Sequence, residues 1–200
     1  MVDLDLAYAQ FSQCIESEDT IRIDIYLLAW EELNKIFSAL GRVFSFVSSD
    51  ITEKITVLRT KQSANPTHYT TVRAMMHHEK TTGILVKDSV NGCRTLLRLH
   101  RALSFVSAFI AVLCDSAAGS NLSGPIWEAY KDTLASHHAW LVRKTVGAAM
   151  YTVPTKESLL VQIGKAEGDA EWFLGFVGVM IDVHTAMEKL YTEQGMLDLK

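Results

Sequence analysis

The sequence predicts an all-α protein, and three observations support this fold class. Apolar residues recur at intervals of three and four in segments 25–44 and 96–110, which is the spacing of amphipathic helices. Only three prolines occur, and each precedes a periodic apolar segment, where proline fits the first helical turn. The breaks between segments are short and carry turn residues such as Asn91-Gly92.

Nine helices are expected in order along the chain. They lie near residues 4–16, 24–47, 50–62, 66–87, 93–115, 125–137, 139–151, 155–163 and 168–193. Pro66, Pro125 and Pro154 indicate the starts of the fourth, sixth and eighth helices. Asn91-Gly92 ends the fourth helix, and the turn at 118–121 ends the fifth. No flexible linker, repeat or low-complexity tract divides the chain, so we expect a single domain over residues 1–200.

Two segments, 96–113 and 172–181, are apolar on nearly every side, and we expect both helices at the centre of the protein. Apolar residues make up 48% of the 200 residues, enough for a substantial core. The net charge is −4, so no overall basic field attracts nucleic acid, and any anion-binding site must be local.

The sequence indicates a soluble, cytoplasmic protein. Its acidic start, Asp3 and Asp5, does not resemble a secretory signal. The longest uninterrupted apolar stretches, 105–114 and 172–181, are shorter than the roughly 18–20 residues that cross a bilayer. Three cysteines without a CxxC pair indicate free thiols in a reducing compartment, and we expect neither disulfides nor a metal site.

Three arginines stand out in the otherwise apolar segment 93–103. Arg94, Arg98 and Arg101 are spaced by four and three, so they lie on one face of a helix. Like charges one turn apart repel by roughly 0.2–0.5 kcal/mol per pair on an exposed helix. Unpaired guanidinium groups also do not belong in a dry core. The arginines therefore need acidic neighbours or a bound anion.

Asp50 and Lys54 lie one turn apart, and two interpretations of them stay open. Asp50 could cap a helix that begins there, with Glu53 completing a capping box and Lys54 in solvent. Alternatively, Asp50 accepts hydrogen bonds from a ligand amide or hydroxyl, and Lys54 adds positive charge to the arginine face.

The histidines do not form a metal-binding pattern, and no familiar enzyme motif occurs. His137 and His138 are adjacent, so on a helix they point about 100° apart and make poor co-ligands for one metal. His138 beside Trp140 is then either a structural pair or part of a ligand site. The sequence lacks GxSxG, GxxxxGK[ST], HExxH and GxGxxG motifs. We therefore expect a non-enzymatic protein without cofactors.

Four segments together resemble the glycolipid transfer protein superfamily. They are residues 39–50 (ALGRVFSFVSSD), 93–103 (CRTLLRLHRAL), 138–143 (HAWLVR) and 188–191 (EKLY), followed by an LDL end at 197–199. The similarity runs in order from about Phe11 to the last residues. It departs from the family pattern around Phe105, where Ser104 and Ser107 lie nearby and a larger aromatic is expected. It departs again at Ala139, where some relatives have proline, so acyl-chain preference stays open.

The resemblance implies a two-layer α-helical sandwich that encloses an apolar pocket for sphingolipid chains. In this family an aspartate accepts from the sphingosine amide and hydroxyl, a histidine donates to the acyl carbonyl, and basic residues hold the headgroup. The matching residues are Asp50, His138, Lys54, Arg94 and Arg98, with Arg101 as a possible additional phosphate contact. Candidates for the apolar pocket are Phe37, Leu40, Phe44, Phe46, Val47, Leu97, Phe105, Phe109, Val142 and Val146.

Two positions indicate the headgroup class within the family. Glycolipid-binding members are expected to have asparagine where this chain has Lys54, and a sugar-stacking tryptophan where it has Arg98. Both changes add positive charge, which suits a phosphate. The resemblance thus implies intermembrane transfer of ceramide 1-phosphate by a monomer that contacts membranes transiently, with Trp140 as the candidate membrane contact. Glycolipid transfer, a phospholipid-cleaving enzyme with His138 as base, and a lipid-sensing adaptor are the alternatives.

Overall fold

Helices make up most of the chain in the computed structural model, which describes residues 2–17 and 20–199. The α-helices are α1 Leu4–Cys14, α2 Ile23–Ala39, α3 Ser45–Ala64, α4 Val72–Thr81, α5 Ile84–Lys87, α6 Gly92–Asp115, α7 Ser123–Thr133, α8 Trp140–Met150, α9 Lys156–Gln162 and α10 Ala170–Gln194. Short 3₁₀ turns cover Arg42–Phe44, Ala135–His137 and Glu167–Asp169. The all-α prediction is confirmed. The predicted domain, 1–200, also includes four residues outside the described ranges.

One small sheet was not predicted. Strands β1, Ile15–Ser17, and β2, Thr20–Ile21, form a short antiparallel pair between α1 and α2. The pair is too short to show an alternating apolar pattern, which is the sequence signal for a strand. It therefore falls within the expected end of the first helix and the gap that follows it.

Helix α6 is the central element of the two-layer arrangement. It packs against α3, α4, α7 and α10, while α1 packs against α2 and α10. The expected central position of α6 is confirmed, and α10 lies against it. However, α10 is not buried all round: Leu174 and Ile181 are exposed on its outer face.

By length and composition α6 could cross a membrane, which the count of uninterrupted apolar residues did not indicate. It has 24 residues, and its most apolar window has a mean hydropathy of 1.6. That window is 61% buried inside the protein. A central helix of a folded domain meets the same length and composition criteria, and the packing of α6 gives it that role.

Two glycines explain why expected helices are interrupted. The predicted helix 24–47 ends at Ala39 because Gly41 adopts φ +98°, a left-handed conformation that disfavours side chains. Gly83, at φ +76°, likewise separates α4 from α5. Pro66 begins a turn and not a helix, so that start signal was wrong.

A buried carboxylate fixes the N-terminus of α6. Glu79 on α4 is fully buried and accepts from the backbone N–H groups of Gly92 (2.6 Å) and Cys93 (2.9 Å) and from the hydroxyl of Tyr69 (2.8 Å). The Asn91 side chain accepts from the N–H of Arg94 at 2.8 Å. These bonds satisfy backbone donors that have no partner within the helix, and they place a negative charge at its positive end.

We expect Glu79→Gln to destabilise the protein by about 2 kcal/mol, because the substitution removes a charge-assisted acceptor and places amide hydrogens near backbone donors. Urea unfolding followed by circular dichroism measures the change. Glu128→Gln, which alters an exposed ion pair with Lys131, is the matched control and should change stability by less than about 0.5 kcal/mol. Equal effects of the two substitutions would contradict the capping role of Glu79.

Candidate functional site

A cavity of about 1190 Å³ opens between the helices beside α6. Its wall is formed mainly by side chains of α2, α3, α6, α7 and α8, with residues 197–199 near the end of the chain. All ten residues expected to line an apolar pocket lie on this wall. Most of them are buried, whereas Val142 is exposed. The cavity therefore offers an apolar interior to a ligand.

Polar groups from three parts of the fold line the same cavity. Asp50 and Lys54 come from α3, Arg98 and Arg101 from α6, and His138 from the segment between α7 and α8. Helix packing thus brings together residues that are far apart in sequence. The arrangement can bind an anion and an amide-like group next to an apolar compartment.

Asp50 and Lys54 form an ion pair along one face of α3. The Lys54 Nζ also donates to the backbone carbonyl of Asp50 at 3.3 Å. The Lys54 side chain is only 14% exposed, whereas that of Asp50 is 62% exposed. Since α3 begins at Ser45, Asp50 lies inside the helix, and the interpretation of Asp50 as an N-cap is wrong.

The three arginines occupy different environments. Arg98 is exposed and lines the cavity. Arg101 also lines the cavity, but its Nη2 donates to the Leu197 carbonyl at 2.6 Å, and burial, then the charge of Arg98, lower the pKa of Arg101. Arg94 lies outside the cavity lining, and its Nη1 donates to the Asp88 carbonyl at 3.0 Å. The role of Arg94 in headgroup binding stays a prediction.

His138 follows the 3₁₀ turn Ala135–His137 and is half-buried in the cavity wall. Its Nδ1 lies 2.9 Å from the Tyr130 hydroxyl oxygen. Burial lowers the pKa of His138, and the nearby charge of Asp50 opposes that shift. The imidazole is therefore mainly neutral at pH 7, with one N–H donor and one acceptor nitrogen.

Sequence reasoning missed a second polar cluster in the wall, formed by His100 on α6 and by His184 and Glu188 on α10. His100 Nε2 lies 2.5 Å from Glu188 Oε2, and the two imidazole rings stack at 4.2 Å. Burial, followed by the nearby His184, lowers the pKa of His100 to about 4. The spacing of four residues between His184 and Glu188 could have shown that they share one face of a helix. Their contact with His100 on α6 could not be predicted from the sequence.

The geometry of this cluster does not suit a metal ion. One donor atom from each of the three residues can be chosen so that all lie within 4.8 Å of one another. However, the imidazole planes are only 26° apart. Lone pairs that lie in nearly parallel, stacked rings cannot converge on one ion in this conformation. The cluster is better described as a hydrogen-bonded part of the cavity wall.

The predicted membrane-contact residue lies on the outer surface. Trp140, the first residue of α8, is 63% exposed, and its neighbour Leu141 is 68% exposed. The Lys144 Nζ lies 5.7 Å from the centre of a Trp140 ring. An aromatic ring, an aliphatic side chain and a cation together form a surface that suits the boundary between lipid headgroups and acyl chains.

The sequence and the fold match known lipid transfer proteins. The profile of the glycolipid transfer protein family matches residues 21–165. The human ceramide-1-phosphate transfer protein is 30% identical over 205 residues, covering 98% of this chain and 96% of that protein. The corresponding protein of Danio rerio is 33% identical over 199 residues, covering 94% and 93%.

A solved structure shows the same similarity in three dimensions. The crystal structure of the human ceramide-1-phosphate transfer protein in complex with 12:0 ceramide 1-phosphate aligns with a TM-score of 0.89 at 31% identity. The alignment covers 100% of both chains. The similarity therefore includes every helix that contributes to the cavity.

Proposed function

The chain belongs to the glycolipid transfer protein family, and on this basis we propose that it binds ceramide 1-phosphate and transfers it between membranes without altering it. The observation that carries the proposal is the position of Asp50, Lys54, Arg98 and His138 on the wall of a largely apolar cavity. The relative crystallised with ceramide 1-phosphate supports this ligand.

In this proposal the cationic side chains bind the phosphate group of the lipid. A phosphate monoester carries a charge of about −1.5 to −2 at pH 7, and a guanidinium group can pair with two of its oxygens. Arg98 and Lys54 line the cavity, and Arg101 lies one turn further along α6. We propose that Arg94 joins them when its guanidinium leaves the Asp88 carbonyl. A neutral sugar headgroup would not compensate these charges.

In this proposal Asp50 and His138 form hydrogen bonds with the ceramide backbone. The exposed Asp50 carboxylate accepts from the amide N–H and a hydroxyl, while the neutral His138 donates to the acyl carbonyl. These contacts fix the orientation of the lipid, and the apolar wall receives its chains. Burial of each CH₂ group contributes roughly 0.8 kcal/mol, so the cavity lowers the cost of moving a lipid monomer through water.

A vesicle assay tests the proposed function. Fluorescent ceramide 1-phosphate in donor vesicles should move to acceptor vesicles when the protein is added, and galactosylceramide should move much more slowly. Faster transfer of galactosylceramide would instead support glycolipid transfer. Native mass spectrometry of the purified protein should detect a ceramide phosphate as the bound lipid.

The same assay addresses the enzyme alternative. In the described part of the chain, no hydrogen bond joins the His138 ring to a serine, threonine or cysteine, so the geometry of an activated nucleophile is not formed. Lipid extracted after incubation should be chemically intact. Recovery of a cleaved product would replace the transfer proposal with a hydrolytic one.

We also propose that the protein is a cytoplasmic monomer that docks transiently on membranes through Trp140 and its neighbours. Trp140→Ala is expected to reduce transfer about 10-fold, because removing an interfacial ring weakens membrane docking. Surface plasmon resonance on vesicles measures docking directly. Leu174→Ala is the control, because it removes an apolar side chain that is likewise 63% exposed but lies on α10. Normal docking by Trp140→Ala would contradict the assignment.

A lipid-sensing adaptor is the remaining alternative, since it would use the same cavity but act through a protein partner. Such a protein would bind ceramide 1-phosphate and yet fail to accelerate its movement between vesicles. The comparison of binding with transfer therefore separates the two functions.

A further inference from the structure

Tyr130 is a buried phenol in the wall of the cavity, and neither sequence pattern nor family resemblance pointed to it. It is 1% exposed on α7. The Trp127 ring stacks on it at 5.4 Å, and the Phe105 ring meets it edge to face at 5.9 Å. These contacts hold the phenol in one position, with its hydroxyl 2.9 Å from His138 Nδ1.

The direction of this hydrogen bond can be deduced from the donors and acceptors present. Burial raises the pKa of Tyr130, so the phenol keeps its proton at neutral pH. In the described part of the chain, His138 Nδ1 is the only hydrogen-bond partner of the Tyr130 hydroxyl. If Nδ1 carried the hydrogen and donated, the buried phenol hydrogen would have no acceptor, which is costly. Tyr130 therefore donates to Nδ1.

We infer that Tyr130 is a positioning residue that holds neutral His138 in the tautomer with its hydrogen on Nε2. A neutral imidazole carries one hydrogen on its two ring nitrogens. Because Nδ1 accepts a hydrogen bond, that hydrogen lies on Nε2. Nε2–H is then available to an acceptor in the cavity. The hydrogen bond also fixes the rotation of the ring, in the way that outer partners orient histidines at metal sites.

The inference rests on the proposed function, in which the His138 Nε2–H donates to the acyl carbonyl of the sphingolipid. Without the Tyr130 hydroxyl both tautomers of His138 would be populated. Only the molecules with the hydrogen on Nε2 would then present a donor to the cavity. The lipid would then have to select the competent form, which lowers its apparent affinity. Tyr130 thus acts on binding through His138 and makes no bond of its own to the lipid carbonyl.

Nuclear magnetic resonance of ¹⁵N-histidine-labelled protein tests the inference without lipid. In the wild-type protein, the His138 spectrum should show a protonated Nε2 and an unprotonated Nδ1. Tyr130→Phe removes only the hydroxyl and should shift His138 toward a mixture of tautomers. A surface control, Tyr151→Phe, changes a residue that is 90% exposed and should leave the spectrum unchanged. A protonated Nδ1 in the wild type, or an unchanged spectrum in Tyr130→Phe, would overturn the inference.

The rate of ceramide 1-phosphate transfer between vesicles is the second measurement. Loss of one hydrogen bond that orients the donor should slow ceramide 1-phosphate transfer about 3- to 10-fold in Tyr130→Phe. Unchanged circular dichroism and an unchanged melting temperature would show that the fold is intact. If His138 carries its hydrogen on Nε2 but the wild type transfers no ceramide 1-phosphate, the proposed function fails. The conclusion that Tyr130 fixes the tautomer of His138 then still holds. If transfer is normal in both proteins, the role of Tyr130 in lipid binding is wrong.

Discussion

Arg98→Leu is expected to abolish transfer of ceramide 1-phosphate, with a loss of at least about 100-fold. A hydrogen bond to a charged group contributes about 1.5–3 kcal/mol, and a guanidinium can make two to one phosphate. Arg98 is exposed to the cavity, whereas its neighbours Leu97 and Leu99 are fully buried in the core. The substitution therefore removes charge from the cavity without disturbing the packed side of α6.

The fold should tolerate this change, because leucine has a high helix propensity and Arg98 is exposed. Vesicle transfer measures the effect, and circular dichroism verifies the helical content. Arg59→Leu on α3 is the matched control, since it removes an arginine outside the cavity that pairs with Glu31. Normal transfer by Arg98→Leu would remove Arg98 from the headgroup site.

Arg98→Lys separates charge from geometry. Lysine keeps the positive charge but cannot form the planar, two-bond contact with phosphate that arginine forms. We expect this variant to retain part of the transfer rate, between the wild type and Arg98→Leu. Full activity of the lysine variant would show that charge alone is sufficient at this position.

Local apolar spacing was sufficient to predict the helical class, whereas the predicted residues of the cavity wall came from the resemblance to a known family. Segment 96–110 has the periodicity of a helix, and the observed α6 starts within one residue of the expected 93. The break at Gly41 was missed because apolar spacing continues across it. Backbone conformation, which the periodic pattern does not report, ends that helix.

Contacts between distant elements were the part that local patterns could not predict. His100 and Glu188 are separated by 88 positions and meet only because α6 packs on α10. Tyr130 and His138 are closer, but a 3₁₀ turn lies between them, so helical spacing gives no information on their contact. The hydrogen bond from Arg94 to the Asp88 carbonyl likewise involves a backbone atom, which has no sequence signature.

Asp50→Val is expected to reduce transfer of every sphingolipid by about 100-fold, because it removes the acceptor for the ceramide amide and hydroxyl. This loss differs in kind from that of Arg98→Leu, which removes a phosphate contact. The Asp50 side chain is largely exposed within α3, so valine should not disturb the core. Glu53→Val is the matched control, since Glu53 is an exposed acid on the same helix and lies outside the cavity lining.

Binding of ceramide without phosphate distinguishes the two roles. Native mass spectrometry should show that Arg98→Leu keeps its remaining affinity for ceramide, whereas Asp50→Val loses it. Lys54 complicates the comparison, because its ion pair with Asp50 is also broken and an additional free cation could strengthen phosphate binding. Asp50→Val combined with Lys54→Gln removes that compensation. If the double variant still binds ceramide as the wild type does, Asp50 does not recognise the lipid backbone.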